Sequence, residues 1–425
     1  MKETNNDDDT ITPFAITDYR HRHDVFGIRK RDRRSHMYVI GRTGTGKSTL
    51  LKNMLVSDIH RGEGLALIDP HGDLSDDILD FVPEERMEDV IFFNPADMHY
   101  PIAFNPLEQV KQDARHLVIS NLLSIFHKIW PSYWGPRLEH ILRYSLLTLL
   151  EYPGSTLLDL PALLTNKGFR AQVIRHVKDP MVRDFWQHQA GNYLSPRNSD
   201  AVSPVLNKTG QLLASTPLRN IIGQSDNTFR LRNVMDEGKI LIVNLAKGRI
   251  GEDNSAVLGA MLVSTIVLAA MSRADVPESD RRPFYVYVDE VHNFLTPAFA
   301  EMLSESRKYG LNLVLAHQYL DQLDDKVRSA IFGNAGTIVS FRTGSEDAPF
   351  FAREFQPVFD VYDLIGLANY HIYLKLMIDA TISRPFSAKT LPPPRTDRSL
   401  RKEIIEFSRV KYGRPRHEVE ARLRS

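Results

Sequence analysis

The sequence between Gly41 and Ser48 has the residue types of a phosphate-binding loop. It reads Gly-Arg-Thr-Gly-Thr-Gly-Lys-Ser, which fits the pattern G-x-x-x-x-G-K-[ST]. Glycines let the backbone curl so that several N–H groups face one anion, and the N-terminus of a following helix adds its positive dipole end. Lys47 would reach the β- and γ-phosphates of ATP, and the Ser48 hydroxyl would bind Mg²⁺. The residues predicted to surround the nucleotide are Gly41, Thr43, Gly44, Thr45, Gly46, Lys47, Ser48 and Thr49.

The segments on both sides of this loop are those that such a loop requires. His36 to Ile40 are mostly apolar and β-prone, which predicts a buried strand before the loop. Apolar residues at helical spacing follow it, at Leu50, Leu51, Met54, Leu55 and Ile59. The alternative is a chance glycine-rich turn before an amphipathic helix. With strand and helix both in place, we favour the phosphate loop.

Two adjacent carboxylates end another predicted strand. Phe-Tyr-Val-Tyr-Val at 284–288 predicts a buried strand, and Asp289 and Glu290 follow it directly. Asp289 would hold Mg²⁺ through water, and Glu290 would polarise the water that attacks the γ-phosphate. An apolar strand ending in Asp-Glu is common by itself. Together with the upstream loop it predicts ATP hydrolysis.

Further polar residues follow other predicted strands. The strand at 311–316 leads to Gln318, whose amide can hydrogen-bond the γ-phosphate or the attacking water without adding charge. The strand at 336–341 leads to Arg342, and a strand at 370–376 is expected to be the last. The strand at 64–69, which we expect beside the phosphate loop, ends in Asp69. Asp69, with His71 and Asp73, either belongs to the ligand site or caps the next helix; the two interpretations weigh evenly.

The composition excludes several classes of protein. The 425 residues contain 53 Lys and Arg against 53 Asp and Glu, which excludes a strongly basic coat but not a local basic patch. There is no cysteine, so disulfides and thiolate metal sites are excluded, as fits a cytoplasmic protein. The acidic start is no signal peptide. The apolar run at 256–271 is shorter than the roughly 20 residues that span a bilayer, and predicts a buried helix. Peripheral attachment to the inner membrane through a partner stays open.

The pattern of secondary structure divides the chain. Between residues 112 and 231 the β-branched runs disappear and helical periods appear at 113–128, 137–151 and 168–189. The chain is therefore predicted to begin with an N-terminal arm and first strand (1–35), followed by the first part of an α/β core (36–111). An all-α insertion (112–231), the second part of the core (232–394) and tail helices (395–425) complete the predicted division.

Two features outside the α/β core have open interpretations. The tryptophans at 130, 134 and 186 are expected in the core or at a subunit contact rather than as a base-stacking platform. The tail carries many arginines and lysines. We expect it to reach a neighbouring subunit; the alternative is a solvated terminus.

The motifs together resemble the HerA/FtsK superfamily of P-loop ring motors, and most closely the TraG/TraD-like coupling ATPases of type IV secretion and conjugation. The stretches that carry the resemblance are DRRSHMYVIGRTGTGKSTLL, IDPHGDL, WGPRLEHILR, ILIVNLAKGRIGE, YVDEVHNF, RKYGLNLVLAHQYLDQL and FRTGSEDA. The resemblance implies a RecA-like (ASCE) P-loop NTPase core of mainly parallel sheet, interrupted by an all-α domain. It also implies a hexameric ring with DNA moving through a central channel.

The resemblance also implies roles for single residues. Lys47 and Ser48 belong to Walker A, Asp289 and Glu290 to Walker B, and Gln318 to the sensor strand. Arg307 falls where the coupling-protein motif places an arginine finger, and Arg342 is a second candidate. The alternative for Arg307 is a surface arginine paired with Glu301 or Glu305 on the preceding helix face. Membrane coupling proteins begin with transmembrane helices, and this sequence predicts none. A relative working on plasmid, mobile-element or defence DNA therefore fits as well as one docked on a secretion channel.

Three functions remain open at this stage. The first is a DNA-stimulated ATPase that translocates DNA as a ring, with a secretion channel, a relaxase or a nuclease or other effector as partner. The second is a ring ATPase that energises protein secretion. The third is a nucleotide-gated oligomeric scaffold that regulates a partner effector. Glu290 beside Asp289 argues against a small-molecule kinase, because a water-activating carboxylate there would waste ATP.

Overall fold

The computed structural model describes residues 7–18, 22–108, 110–195 and 202–424. Residues 1–6 and 19–21 of the predicted N-terminal arm, 109, 196–201 of the predicted insertion, and 425 lie outside them. The described chain separates into two compact units. The first, here called the sheet unit, comprises residues up to 92, 231–244 and 269–407; the second, the helical unit, comprises 93–230, 245–268 and the chain from 408. The helical unit thus also takes in 245–268 and the end of the tail, outside the predicted insertion.

The strands follow the apolar runs of the sequence. In chain order they are β1 (Ile11–Thr17), β2 (Val25–Arg29), β3 (Met37–Ile40), β4 (Gly64–Asp69), β5 (Val90–Phe93), β6 (Ile240–Asn244), β7 (Phe284–Val288), β8 (Leu311–His317), β9 (Thr337–Ser340), β10 (His371–Lys375), β11 (Met377–Ile378), β12 (Thr381–Ile382) and β13 (Phe386–Thr390). Among the described residues, eleven strands form one sheet in the order β2-β1-β13-β10-β9-β3-β8-β7-β4-β6-β5, and β11 and β12 form a separate hairpin.

The centre of the sheet is parallel. Strands β9, β3, β8, β7, β4 and β6 run in one direction, with Ile40 of β3 opposite His317 of β8 and Ser340 of β9. Every residue of these six strands is buried, as expected where helices cover both faces of a parallel sheet. Their carboxyl ends therefore meet at one edge, where ligands bind in open α/β sheets. The predicted α/β, mainly parallel fold is confirmed.

Two expectations about the sheet were wrong. Strand β4 was expected beside the phosphate-loop strand β3, but β8 and β7 lie between them. The strand near residues 370–376 was expected to be the last, but the β11–β12 hairpin and β13 follow it. Strands β10, β13, β1 and β2 extend the sheet in antiparallel fashion beyond β9.

The helices are distributed over both units. In chain order they are α1 (Lys47–His60), α2 (Asp73–Ile78), α3 (Arg115–Ile129), α4 (Pro136–Glu151), α5 (Asp159–Thr165), α6 (Lys167–Ile174), α7 (Pro180–Asp184), α8 (Ala190–Tyr193), α9 (Ser203–Ala214), α10 (Thr216–Ile222), α11 (Leu231–Asp236), α12 (Lys247–Ile250), α13 (Glu252–Met271), α14 (Pro297–Ser306), α15 (Asp325–Asn334), α16 (Ala348–Phe355), α17 (Val361–Gly366), α18 (Arg401–Tyr412) and α19 (Arg416–Arg424). Helix α1 packs the apolar face predicted for it, with Leu50, Leu51, Met54, Leu55 and Ile59 fully buried.

The helical unit has its own aromatic core. Trp130 stacks on Phe126 with ring centroids 5.0 Å apart, and the Trp186 Nε1–H donates to the Thr148 hydroxyl at 2.7 Å. Both tryptophans are 9% exposed, so they are core residues, and Trp134 is half-buried. The single helical period expected at 168–189 is broken. The carboxylate of Asp179 caps a new helix that begins at Pro180, whose ring cannot continue the preceding one.

Helix α13 contains the long apolar run and is longer than the sequence predicted. Within the described chain, it is the one helix whose length and composition would let it cross a membrane, because the helical segment, with a final turn at 272–275, spans Glu252 to Asp275. In this protein 67% of its most apolar stretch is buried. Burial of this extent is that of a core helix, as the sequence predicted.

The tail packs against its own chain. In the sheet unit, Ile404 is fully buried and the Arg401 Nε–H donates to Asp80 Oδ1 at 2.9 Å. In the helical unit, Arg409 pairs with Asp97 at 2.6 Å and Val419 is buried. The tail is therefore packed on its own chain rather than being a solvated terminus, and its contact with a neighbouring subunit stays a prediction.

Candidate nucleotide-binding and active site

The phosphate loop joins β3 to α1 through a glycine-rich turn. Gly44 and Gly46 have φ angles of 75° and 121°, which a residue with a Cβ rarely adopts. No atom lies within 4 Å of the position that a Cβ would take on Gly44, so the space over the loop is open. Helix α1 begins at Lys47 with no side-chain cap on its first turn. Its N-terminal N–H groups are thus available to an anion.

Lys47 is held close to the loop and to the acids. Its side chain is buried, and its ammonium donates to the carbonyl oxygens of Gly41 and Arg42. Burial lowers the pKa of Lys47, and the charges of Glu290 and Asp289 oppose that effect. The ammonium therefore lies within electrostatic reach of both carboxylates.

Strand β7 delivers Asp289 and Glu290 to the same edge. Asp289 is 6% exposed, and burial, with the charges of Glu290 and Asp69, raises its pKa to about 7. Lys47 offsets only part of this effect. Buried carboxylates that destabilise one another in this way need a cation. The donor set fits Mg²⁺, which binds carboxylate and hydroxyl oxygens, with Ser48 as the hydroxyl at the start of α1.

Glu290 has an unfavourable backbone conformation, and among the described residues only one of its carboxylate oxygens accepts a hydrogen bond. Its backbone is left-handed, with φ 47° and ψ 55°, a conformation that is unusual for a residue with a long side chain. One carboxylate oxygen, Oε1, accepts a hydrogen bond from the Gln318 amide. The other, Oε2, is buried without a hydrogen-bond partner among the described residues, and the His292 Nδ1 lies 3.6 Å from it. A buried acceptor without a donor is costly, so Oε2 is suited to bind a water.

Gln318 links the phosphate loop to Glu290. The Thr43 hydroxyl donates to Gln318 Oε1 at 3.0 Å, and Gln318 Nε2 donates to Glu290 Oε1. These three residues come from the loop after β3, the end of β8 and the end of β7, which are successive strands of the sheet. The sequence predicted the position of Gln318 at the end of β8. It did not predict the hydrogen bond from Thr43 to Gln318, because that contact depends on the order of the strands.

Asp69 caps the next helix, which is one of the two interpretations left open by the sequence; a ligand role stays a prediction. Its Oδ1 accepts from the His71 N–H at 2.9 Å and its Oδ2 from the Ser75 N–H at 2.8 Å, so it caps the turn into α2. Its charge also raises the pKa of Asp289, so it lies near the acids. The side chains of His71 and Asp73 are exposed.

The two candidate arginines lie at opposite ends of the parallel strands. The Arg342 carbonyl accepts from the Arg42 N–H at 3.0 Å, which places Arg342 beside the loop. Arg307 precedes β8, at the amino end of that strand, whereas Gln318 follows the carboxyl end. Seven residues at about 3.3 Å each separate them by roughly 20 Å. Arg307 is therefore not part of the site in its own chain.

Sequence reasoning missed two aromatic residues around the loop. A Cβ on Gly41 would lie 2.4 Å from the Phe341 Cβ, which explains why glycine is needed there. The Tyr370 N–H donates to the Thr45 carbonyl at 2.8 Å, and a Cβ on Gly46 would lie 2.9 Å from Tyr370 Cδ1. No local signal indicates either contact, because both arise from pairing of distant strands.

Residues 22–349 match the family model described as the type IV secretion-system coupling protein DNA-binding domain. The chain belongs to this family. The match spans most of the chain and includes the phosphate loop, both acids and Gln318. A comparison with curated protein sequences found no match.

Two solved structures of the coupling protein TrwB, and one of VirB4, share the fold. The unbound bacterial conjugative coupling protein TrwBΔN70 is 18% identical over 87% of this chain and 88% of its own, with a TM-score of 0.62. TrwB in complex with ADP and Mg²⁺ is 17% identical over 88% and 89%, with a TM-score of 0.61. VirB4 of Thermoanaerobacter pseudethanolicus is 13% identical over 91% and 98%, with a TM-score of 0.58. At these identities the likeness establishes the RecA-like P-loop NTPase fold of the coupling-protein family.

Proposed function

We propose that this coupling-protein family member is an ATP-driven motor that binds and translocates DNA as a ring, as in conjugative transfer or the processing of mobile-element or defence DNA. The observation that carries the ATPase part is Glu290, a buried carboxylate with Oε1 held by the Gln318 amide and Oε2 without a hydrogen-bond donor among the described residues. The family match to a DNA-binding domain supports the nucleic-acid part.

The cofactors of this proposal are ATP and Mg²⁺. TrwB structures have been solved with a non-hydrolysable ATP analogue and with ADP and Mg²⁺. In this chain the N–H groups from Gly44 to Ser48 would hold the phosphates, and Ser48 and Asp289 would hold the ion. The bound ion would neutralise charge on the phosphate oxygens. The raised pKa of Asp289 supports this assignment, because a nearby cation would stabilise its charged form.

The side chains of this chain divide the work of hydrolysis. Glu290 orients the attacking water and takes up its proton at Oε2. Gln318 holds Oε1, so the carboxylate cannot rotate freely. Because Thr43 contacts the same amide, a terminal phosphate that engages Thr43 or Gln318 changes the position of Glu290. Lys47 exchanges the Gly41 and Arg42 carbonyls for phosphate oxygens. Arg342 is the candidate for a further cationic contact from the same chain.

The proposal extends to the partners and location. Copies of this chain would form a hexamer, with DNA as the substrate and a secretion channel, relaxase or nuclease as possible partners. The protein would act in the cytoplasm, or at the inner membrane through such a partner.

The deciding experiment measures ATP hydrolysis with and without double- and single-stranded DNA. We expect DNA to stimulate the wild-type rate and to be retained by the ATP-bound oligomer. Retention should decrease steeply with salt, because bound phosphates release counterions. Glu290→Gln with the same DNA is the control for contaminating ATPases. An unchanged rate without DNA retention at low salt would reject the DNA motor and favour a protein-secretion ATPase or a nucleotide-gated scaffold.

A further inference from the structure

Tyr370 is an exposed aromatic residue fixed against the phosphate loop. Its N–H donates to the Thr45 carbonyl at 2.8 Å, and its ring edge lies against Gly46, the residue before α1. The side chain is nevertheless 45% exposed. The ring therefore covers part of the loop without being buried in the core.

The backbone of Tyr370 has an unfavourable conformation for an aromatic residue. Its φ is 67°, in the left-handed region that favours glycine and asparagine. The neighbouring strand holds it there, since the Tyr370 carbonyl accepts from the Thr390 N–H at 2.8 Å and from its hydroxyl at 3.3 Å. The turn alone would be better served by glycine or asparagine. A bulky ring at such a position, outside the core, indicates a functional role.

The order of the strands puts Tyr370 on one side of the loop and the acids on the other. Asp289 and Glu290 follow β7, which lies two strands from β3 on one side. Tyr370 precedes β10, which lies two strands from β3 on the other side, beyond β9. Because β10 is antiparallel to β9, its first residue lies at the edge where β9 and β3 end.

This geometry determines where a nucleotide can place its base. With the terminal phosphate toward Glu290 and the phosphate chain over Gly44 and Gly46, the sugar and base extend away from the acids. That direction leads to Tyr370. The segment after β13 closes the same side, because the Asn53 amide of α1 donates to the carbonyls of Leu391 at 3.3 Å and Pro392 at 3.1 Å.

We propose that the Tyr370 ring stacks on the base of the bound nucleoside triphosphate. The inference rests on the proposed function and adds the residue that recognises the base. Stacking needs only a π-face, so adenine and guanine should bind alike, and both should bind better than the smaller pyrimidines.

The experiment measures binding by calorimetry with Mg²⁺ and three probes: ATP, CTP and inorganic tripolyphosphate, which has no base. Tyr370→Asn removes the ring and accepts the left-handed backbone, so it should fold; Tyr370→Phe keeps the ring. We expect Asn to weaken ATP binding about tenfold or more, the usual effect of losing one base–aromatic stack. Its affinity for tripolyphosphate should equal that of wild type. Phe should match wild type for ATP, and wild type should prefer ATP to CTP.

The outcomes distinguish this inference from the proposed function. Equal ATP affinity for wild type and Tyr370→Asn would overturn stacking while leaving the ATPase proposal intact. An equal loss for ATP and tripolyphosphate would also overturn it, because the ring would then support the loop and not the base. Wild-type protein that binds none of the three probes would reject the proposed function, and the stacking with it.

Discussion

Asp289 and Glu290 are adjacent in the chain but have different surroundings. Asp289 follows the last residue of β7, and its Oδ1 accepts from the Glu290 N–H at 3.0 Å. Its raised pKa makes it dependent on a neighbouring cation. Glu290 turns into a left-handed conformation that directs its carboxylate to Gln318. The two residues are thus suited to separate tasks, ion binding for Asp289 and water activation for Glu290.

Glu290→Gln should separate nucleotide binding from hydrolysis. The amide keeps the size of the side chain but cannot take up a proton, so we expect ATP binding to persist and turnover to fall roughly 10²–10⁴-fold. Lys47→Ala should instead weaken binding of ATP or its productive positioning. Single-turnover kinetics with a filter-binding assay measure both quantities. Glu88→Gln, at an exposed glutamate, is the matched control. Normal turnover of Glu290→Gln would remove this residue from the mechanism.

At the scale of the elements, the strands that carry the site were predictable because each is buried on both faces. Strand β7 is Phe-Tyr-Val-Tyr-Val and β8 is Leu-Asn-Leu-Val-Leu-Ala-His, with every residue buried. Such apolar runs need no knowledge of their neighbours. The acids and Gln318 follow at their ends, so most of the candidate site could be located from the sequence.

The edge strands and long-range contacts could not be predicted in this way. Strand β1 contains Pro13, which weakens a strand pattern, and β13 is Phe-Ser-Ala-Lys-Thr, with only two fully buried residues. Both become strands because they pair with each other. The place of Tyr370 beside Gly46 depends on that same antiparallel edge. The sequence alone therefore does not indicate the position of Tyr370 beside the phosphate loop.

His36 joins the amino ends of β3 and β8 and couples them to the segment of Arg307. Its Nδ1 accepts from the Leu313 N–H at 3.2 Å, and its Nε2 lies 3.3 Å from the Ser306 hydroxyl. Because Nδ1 is an acceptor, the bonded ring is neutral. Burial, with the charge of Arg307, lowers the pKa of His36 to about 4, although the Leu303 carbonyl acts in the opposite direction.

This depressed pKa predicts a loss of stability in mild acid. Between pH 6.5 and 4 the unfolded chain binds a proton at His36 that the folded chain does not, so the free energy of unfolding should fall as pH falls. For this residue the loss between pH 7 and 5 is about 2 kcal/mol. In His36→Asn, whose side-chain oxygen can still accept from Leu313, the pH dependence should be weaker by that amount. Urea unfolding at pH 7 and pH 5 measures this difference. An equal change in the free energy of unfolding between the two pH values for wild type and His36→Asn would contradict the prediction.

At the scale of the whole molecule, Arg307 lies away from the nucleotide site of its own chain. It is exposed, and within the described residues its guanidinium makes neither a hydrogen bond nor an ion pair. The alternative of a surface pair with a preceding glutamate is not what the structure shows, since Glu305 pairs with Lys308 at 2.7 Å. About 20 Å of strand separates Arg307 from its own Gln318. If it contacts a γ-phosphate, that phosphate belongs to another subunit.

Arg307→Ala should keep nucleotide binding and lose turnover, by roughly 10³–10⁵-fold where such arginines have been measured. Arg328→Ala, at another arginine on the surface of the sheet unit that pairs with Asp325, is the matched control and should stay active. The decisive measurement mixes Arg307→Ala with Lys47→Ala under conditions in which subunits exchange. At equal amounts, about a quarter of the interfaces in a head-to-tail ring pair an intact phosphate loop with an intact Arg307. ATPase activity should therefore recover toward that fraction of wild type, although each variant is inactive alone. Mixed rings confirmed by mass that show no recovery would exclude action between subunits, and full activity of Arg307→Ala by itself would exclude any role for this arginine in hydrolysis.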